Sequence, residues 1–214
     1  QDPNSVDREL QSLAAQIKSR TCPTPLEIEV VYVVNNTWDV SEGIRQENRE
    51  TVDYLKALAE GRVPLVRPEH QDLLAAVTAV QKSELKIQVI DKVDPGFLTR
   101  NIGNVRNVGN QHVLASLPES EDPYTVIWQL DADTIIPTDA AAKIQGVFSR
   151  GRYSFALLGM DYEVEPGSEQ AVYQRHMVET LLAAWWEFEA AIKGTFVGGG
   201  GPRILALAGT LRRL

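Results

Sequence analysis

Cysteine is almost absent from this chain. Among its 214 residues only Cys22 carries a thiol, which excludes a disulfide framework and a cysteine-built metal cluster. Methionine is scarce as well: the chain starts at Gln1 and holds only Met160 and Met177. No apolar run approaches the roughly 20 residues that a membrane helix requires. Residues 1–20 are polar and amphipathic rather than signal-like. Basic residues are outnumbered, 21 against 29, for a net charge of −8. Phosphate binding over a broad surface needs a basic face, so a nucleic-acid coat is excluded. These absences predict a soluble, cytoplasmic protein with no transmembrane segment and no nucleic-acid partner.

What is present is ordinary for a globular protein, with 43% apolar and 23% charged residues. A chain of this length buries roughly 70% of its unfolded surface, enough for a core without disulfide staples. No Gly/Ser linker, composition break or long repeat divides it, so a single domain over 1–214 is expected.

Apolar periodicity alternates between helix and strand. Residues 5–20 predict an amphipathic helix through Val6, Leu10, Leu13, Ala14 and Ile17, broken by Cys22-Pro23-Thr24-Pro25. Residues 27–34 predict a Val-rich strand ending at Asn35-Asn36-Thr37. A helix follows, with Ser41 as its cap, a stripe of Ile44, Asn48, Thr51, Leu55 and Leu58, and Gly61 as its stop. Further helices are expected over 69–82, 104–117, 139–149 (capped by Thr138) and 168–193. Strands are expected over 85–90, ending at Asp91, and over 124–130, ending at Asp131-Ala132-Asp133-Thr134. A fourth strand is expected over 153–160. The alternation predicts an α/β layered fold with a mostly parallel sheet. Ligands of such sheets bind at the carboxyl ends of the strands. That rule singles out Asn35, Asn36, Asp91, Asp131 and Asp133.

Two segments carry chemistry. In Asp131-Ala132-Asp133 two carboxylates sit one residue apart after an apolar strand, and an extended backbone points both the same way. A hard divalent cation such as Mg²⁺ or Mn²⁺ relieves their repulsion and can also take phosphate oxygens; a solvated turn is the alternative. The segment 100–110 (RNIGNVRNVGN) contains the pattern Arg-Asn-x-Gly twice. Glycine permits close backbone approach, Arg suits phosphate, and a helix starting there offers free N–H groups to an anion. The alternative is a helix packed tightly on the sheet through Gly109.

Taken in order, these residues resemble the GT-A glycosyltransferases, specifically the family 2-like group. The matching features are a first strand ending in Val33-Val34-Asn35-Asn36, the segment Arg106-Asn107-Val108-Gly109, and Leu130-Asp131-Ala132-Asp133-Thr134. The resemblance spans about residues 27–201, leaving an N-terminal helical segment (1–25). It implies a three-layer α/β/α (Rossmann-like) sandwich and a hexosyltransferase-type enzyme using a nucleotide-diphosphate sugar. It places Asn35, Asn36 and Asp91 at the nucleoside, and Arg106, Asn107 and Gly109 near the diphosphate. Asp131 and Asp133 would hold Mg²⁺ or Mn²⁺, with Asp133 the direct ligand, and the glycine run with Gly199 and Gly200 would lie on the acceptor side. The acceptor is a sugar, a lipid or a small molecule, and peripheral contact with a membrane is compatible with it. A metal and an arginine would stabilise the charge that develops on a departing nucleoside diphosphate.

The sequence departs from the family in two places. Val105 precedes Arg106 where a small residue is usual. Inverting members also carry an acid shortly after the glycine run, whereas residues 202–214 (PRILALAGTLRRL) contain none. Either chain beyond Gly201 supplies the general base, or the enzyme is retaining, or another acid serves: Asp161, Glu163 or Glu179. The starting glutamine and the acid-free tail together predict a longer protein. His176 reads as a packing or surface residue, and Trp185 and Trp186 as core and edge aromatics.

Two other classes remain open. Asp131-Ala132-Asp133-Thr134 also fits the signature of haloacid-dehalogenase-type phosphohydrolases, with Asp131 as nucleophile and Asp133 as acid/base. An inactive nucleotide-sugar-binding protein would need no base at all. A sugar-phosphate nucleotidylyltransferase ranks lower, because residues 35–42 (NNTWDVSE) are acidic and lack glycine.

Overall fold

A computed structural model describes residues 3–17, 27–37, 39–64, 73–94, 102–131, 134, 136–151, 155–157, 172 and 204–212. Helix α1 (Pro3–Ile17) precedes strand β1 (Glu29–Asn35), helices α2 (Glu42–Ala59) and α3 (Leu73–Gln81), and strand β2 (Lys86–Lys92). Helix α4 (Ile102–Ser116), a 3-10 turn (Glu119–Glu121), strand β3 (Val126–Trp128) and helix α5 (Ala140–Phe148) follow. Strand β4 (Phe155–Leu157), strand β5 (Ile204–Leu207) and helix α6 (Ala208–Arg212) complete the described part. The protein is of mixed α/β class.

β1 and β2 pair in parallel, from Glu29 opposite Lys86 to Asn35 opposite Lys92. Parallel strands need a crossover, which α2 and α3 supply. Side chains alternate across the pair. Val30, Tyr32, Val34, Ile87 and Val89 face a core built from Leu10 and Ala14 of α1, Leu55 and Leu58 of α2, and Val77 and Val80 of α3. The opposite face meets α4, where a Cβ on Gly109 would lie 3.3 Å from Val33 Cγ2. Helices therefore cover both faces of this pair.

A second sheet has the order β3-β5-β4, with both ladders antiparallel. Among the described residues, then, parallel pairing is confined to β1 and β2. The apolar stretch 204–207, which carries no alternation to mark it as a strand, becomes the central strand of the second sheet. Arg212 fixes the segment after it: its Nε donates to both carboxylate oxygens of Asp122, at 2.9 and 2.8 Å, and its Nη2 donates to Leu117 O. A smaller cluster of Leu13, Ile136 and Ala140 packs with Ile28, Val30, Leu85, Trp128 and Leu130, and so joins β1 to the segment around β3.

Most element boundaries follow local chemistry. Ser41 caps α2, its Oγ accepting from Ile44 N at 3.4 Å. Gly61 ends α2 at φ 70°. Arg62 N donates to Ala57 O and Gly61 N to Leu58 O, the bond pair of a Schellman motif. The α2 stripe differs from expectation: Val52, Leu55, Ala57 and Leu58 are buried, whereas Ile44 is exposed. The strand expected over 124–130 is shorter, because the chain turns through Tyr124, which is exposed. The cap of α5 is Asp139 rather than Thr138, and no side chain of its own closes the helix. Gln16 of α1 does so across the core, its Oε1 accepting from Ala141 N at 2.7 Å. Ser12 also donates to Ile136 O. Of the helix expected over 168–193 only Val172 falls among the described residues, where it is helical and exposed. No described helix is long and apolar enough to cross a membrane.

Candidate functional site at the carboxyl ends of the parallel strands

The β1–β2 ladder ends at Asn35 and Lys92. On the face covered by α2, polar side chains brace this edge. Asn36, 1% exposed, donates through Nδ2 to Val93 O at 3.2 Å and accepts at Oδ1 from Asn48 Nδ2 at 2.5 Å. Asn36 N also donates to Lys92 O. Arg45 Nη1 reaches Val93 O at 3.4 Å and Asp94 Oδ1 at 3.2 Å. Arg49 grips both oxygens of Asp94, with Nε 2.7 Å from Oδ2 and Nη2 3.1 Å from Oδ1, and donates through Nη1 to Glu42 at 2.8 Å. Arg49 holds the Asp94 carboxyl below its ordinary range against the opposing effect of burial, and Arg45 acts the same way as Arg49. The same bonds, to Asp94 first and then Glu42, raise the pKa of Arg49.

Asp91 lies inside β2 rather than beyond it, opposite Val34. Partial burial pushes its carboxyl upward. The bonds from Lys56 Nζ at 3.0 Å and Val93 N at 3.1 Å outweigh that and leave its pKa lowered. Asn36 and Asp91 thus have specific partners within the fold. Their amide and carboxylate tie β1 and β2 to α2, which is a structural use of residues expected at a nucleoside.

On the other face, α4 places Arg106. Gly109 sits against Val33, and His112 Nε2 lies 2.5 Å from Gln88 Oε1. Gln88 is opposite Val31. Three residues forward along the helix, a rise of about 4.5 Å, therefore correspond to two residues backward along the strand, about 6.6 Å. α4 runs antiparallel to β1, and Arg106, nearly one turn before Gly109, lies from Val33 toward the carboxyl end of β1.

From there Arg106 Nη2 reaches Asp131 Oδ1 at 2.5 Å. The arginine side chain is 14% exposed and the aspartate 41%. The two chemistry-bearing segments of the sequence, 25 residues apart, meet in this ion pair. Helix α4 begins at Ile102, so the second Arg-Asn-x-Gly (Arg106 to Gly109) lies within it, and of the first only Ile102 and Gly103 are among the described residues. Asn107 is exposed on α4, and Gly109 serves the close packing on β1. Asn35 is half-buried at the end of β1.

Asp133, Asp161, Glu163, Glu179, Gly199 and Gly200 lie outside the described residues. Among the described residues no group of three or more His, Cys, Asp or Glu side chains converges as a metal site. Asp131 is the one described member of the expected metal pair, and a guanidinium holds its Oδ1. Arg45, Arg49, Lys56, Lys92 and Asp94 lie outside the sequence motifs, and Asn48, expected on the apolar stripe of α2, instead bonds Asn36. The spacing of Arg45 and Arg49, one turn apart just after a helix cap, was the available signal.

Compared with family models, with curated proteins and with solved structures, the chain matches none.

Proposed function

We propose that this protein is a glycosyltransferase of the GT-A, family 2-like type, moving a sugar from a nucleotide-diphosphate donor to an acceptor hydroxyl. One observation carries the reading: Arg106, on the helix packed against β1, forms an ion pair with Asp131, toward the carboxyl ends of the parallel strands, where α/β sheets take their ligands. Helices on both faces of β1 and β2 support a three-layer sandwich.

In this reading Asp131 orients Arg106, whose guanidinium charge stabilises the charge growing on the departing diphosphate. The carboxylates of Asp131 and Asp133 suit Mg²⁺ or Mn²⁺ in kind. Because Arg106 occupies an oxygen of Asp131, Asp133 would be the carboxylate left to hold the metal. The metal, when bound, neutralises charge on the diphosphate. Asn35 and Asn107 contact the donor, Gly199 and Gly200 line the acceptor side, and Asp161 or Glu179 removes the acceptor proton if the reaction inverts. The protein works in the cytoplasm.

The test is a thermal shift with UDP or GDP plus Mn²⁺, followed by release of free nucleotide from UDP- and GDP-sugars. An upshift that vanishes in Asp133→Ala is expected. No shift with any nucleoside diphosphate overturns the proposal. Shift without turnover identifies an inert nucleotide-sugar binder. The phosphohydrolase reading needs Asp131 as a nucleophile, yet a guanidinium bonded to it stabilises the carboxylate and lowers its reactivity. Phosphate release abolished by Asp131→Asn would restore that reading.

A further inference from the structure

The two faces of the carboxyl edge carry different charge. On the α2 face each nearby acid is matched: Asp91 by Lys56, and Asp94 by Arg45 and Arg49. On the α4 face the last ladder pair sets Lys92 beside Asn35. Successive strand residues point to opposite faces, so Lys92 projects away from the Asp91–Lys56 pair and toward the side that α4 covers. Lys92 is exposed, and among the described residues it makes no ion pair. A chain with net charge −8 thus presents, at the carboxyl edge of its described parallel strands, a lysine with no ion-pair partner among the described residues. Lys92 and Asn35 are paired on the face that α4 covers, and Arg106 of α4 lies toward their end of it.

We propose that Lys92 is a donor-binding residue, a second cation that takes a phosphate of the nucleoside diphosphate on the opposite side of Asn35 from Arg106. The inference rests on the glycosyltransferase reading, and it assigns a phosphate contact to a residue outside the sequence motifs. An ammonium binds phosphate as a point charge with three rotatable donors, so Lys92→Arg keeps the affinity and Lys92→Gln lowers it.

Titration calorimetry on the full chain separates the possibilities, with UDP, GDP, uridine and inorganic pyrophosphate as probes, each with and without Mg²⁺. Lys82, an exposed lysine between α3 and β2 at the opposite end of the strand, is the control. Lys92→Gln is expected to weaken the nucleoside diphosphate and pyrophosphate about tenfold, the loss of one charge-assisted contact. Uridine affinity and Lys82→Gln are expected to match the wild type. A nucleoside diphosphate bound equally by wild type and Lys92→Gln overturns the role of Lys92 and leaves the glycosyltransferase reading standing. Pyrophosphate bound through Lys92 with no nucleotide preference keeps the anion site and removes the nucleotide reading. A wild-type protein that binds neither anion overturns both.

Discussion

Arg106 of α4 and Asp131, three residues past β3, form a 2.5 Å ion pair that joins two separate stretches of sequence. The arginine is the more buried partner, so the aspartate does more for it than solvent could. Removing Asp131 takes from a largely buried guanidinium the carboxylate that its Nη2 reaches. Asp131→Ala is expected to destabilise the protein by about 1–2 kcal/mol, between the values for exposed and buried pairs. Urea denaturation checks this, and a double-mutant cycle with Arg106→Gln should recover most of the loss. An additive cycle would mean that the pair contributes no coupling.

Gly109 is a packing glycine. An added Cβ meets Val33 Cγ2 at 3.3 Å, a contact that a slight shift of the valine can relieve. Alanine gains about 1 kcal/mol of helix propensity over glycine, so Gly109→Ala should be close to neutral. Gly109→Val, which adds bulk that cannot retreat, should lose about 1–3 kcal/mol through overpacking. Equal denaturation midpoints for the two variants would refute the close approach of α4 to β1.

Asn36 and Asn48 close the carboxyl edge. Asn36→Leu leaves Val93 O short of one donor and Asn48 Nδ2 without its acceptor. A loss of about 2–3 kcal/mol is expected from unsatisfied buried groups. Asn48→Ala should cost less, about 1 kcal/mol, since only one bond ends there. Chemical denaturation of both variants measures the difference, and a larger effect for Asn48 would contradict it.

Asp94 links stability to pH. Its folded pKa lies below the ordinary value because of Arg49 and Arg45. A depressed carboxylate pKa favours the folded state above the unfolded pKa, about 3.9. That contribution is lost as pH falls from there through the folded value. Arg49→Gln should therefore raise the Asp94 pKa toward its ordinary value and leave the slope of stability near neutral pH unchanged. Carbon NMR titration of the Asp94 carboxyl in both proteins reads this directly. An Asp94 pKa unchanged by Arg49→Gln would show that the bond does not persist in solution.

The sequence by itself determined the local elements. Val-rich runs mark β1 and the core of β2, Ser41 marks the start of α2, and Gly61 marks its end, because periodicity, capping and left-handed backbone are properties of neighbouring residues. It also drew attention to Arg106 and Asp131. Tertiary structure alone decided what those residues touch. Asn36 and Asp91 look like ligand contacts at strand ends, and packing of α2 against β1 and β2 gives each of them partners within the fold. Gln16 caps a helix 125 residues away, and residues 204–207 fill the centre of a sheet by pairing with strands far earlier in the chain. No local pattern encodes such partners, since contacts between distant segments are fixed only when the helices dock on the strands. The same docking sets Lys92 and Arg106 on one face, the arrangement on which recognition of the donor is proposed to depend.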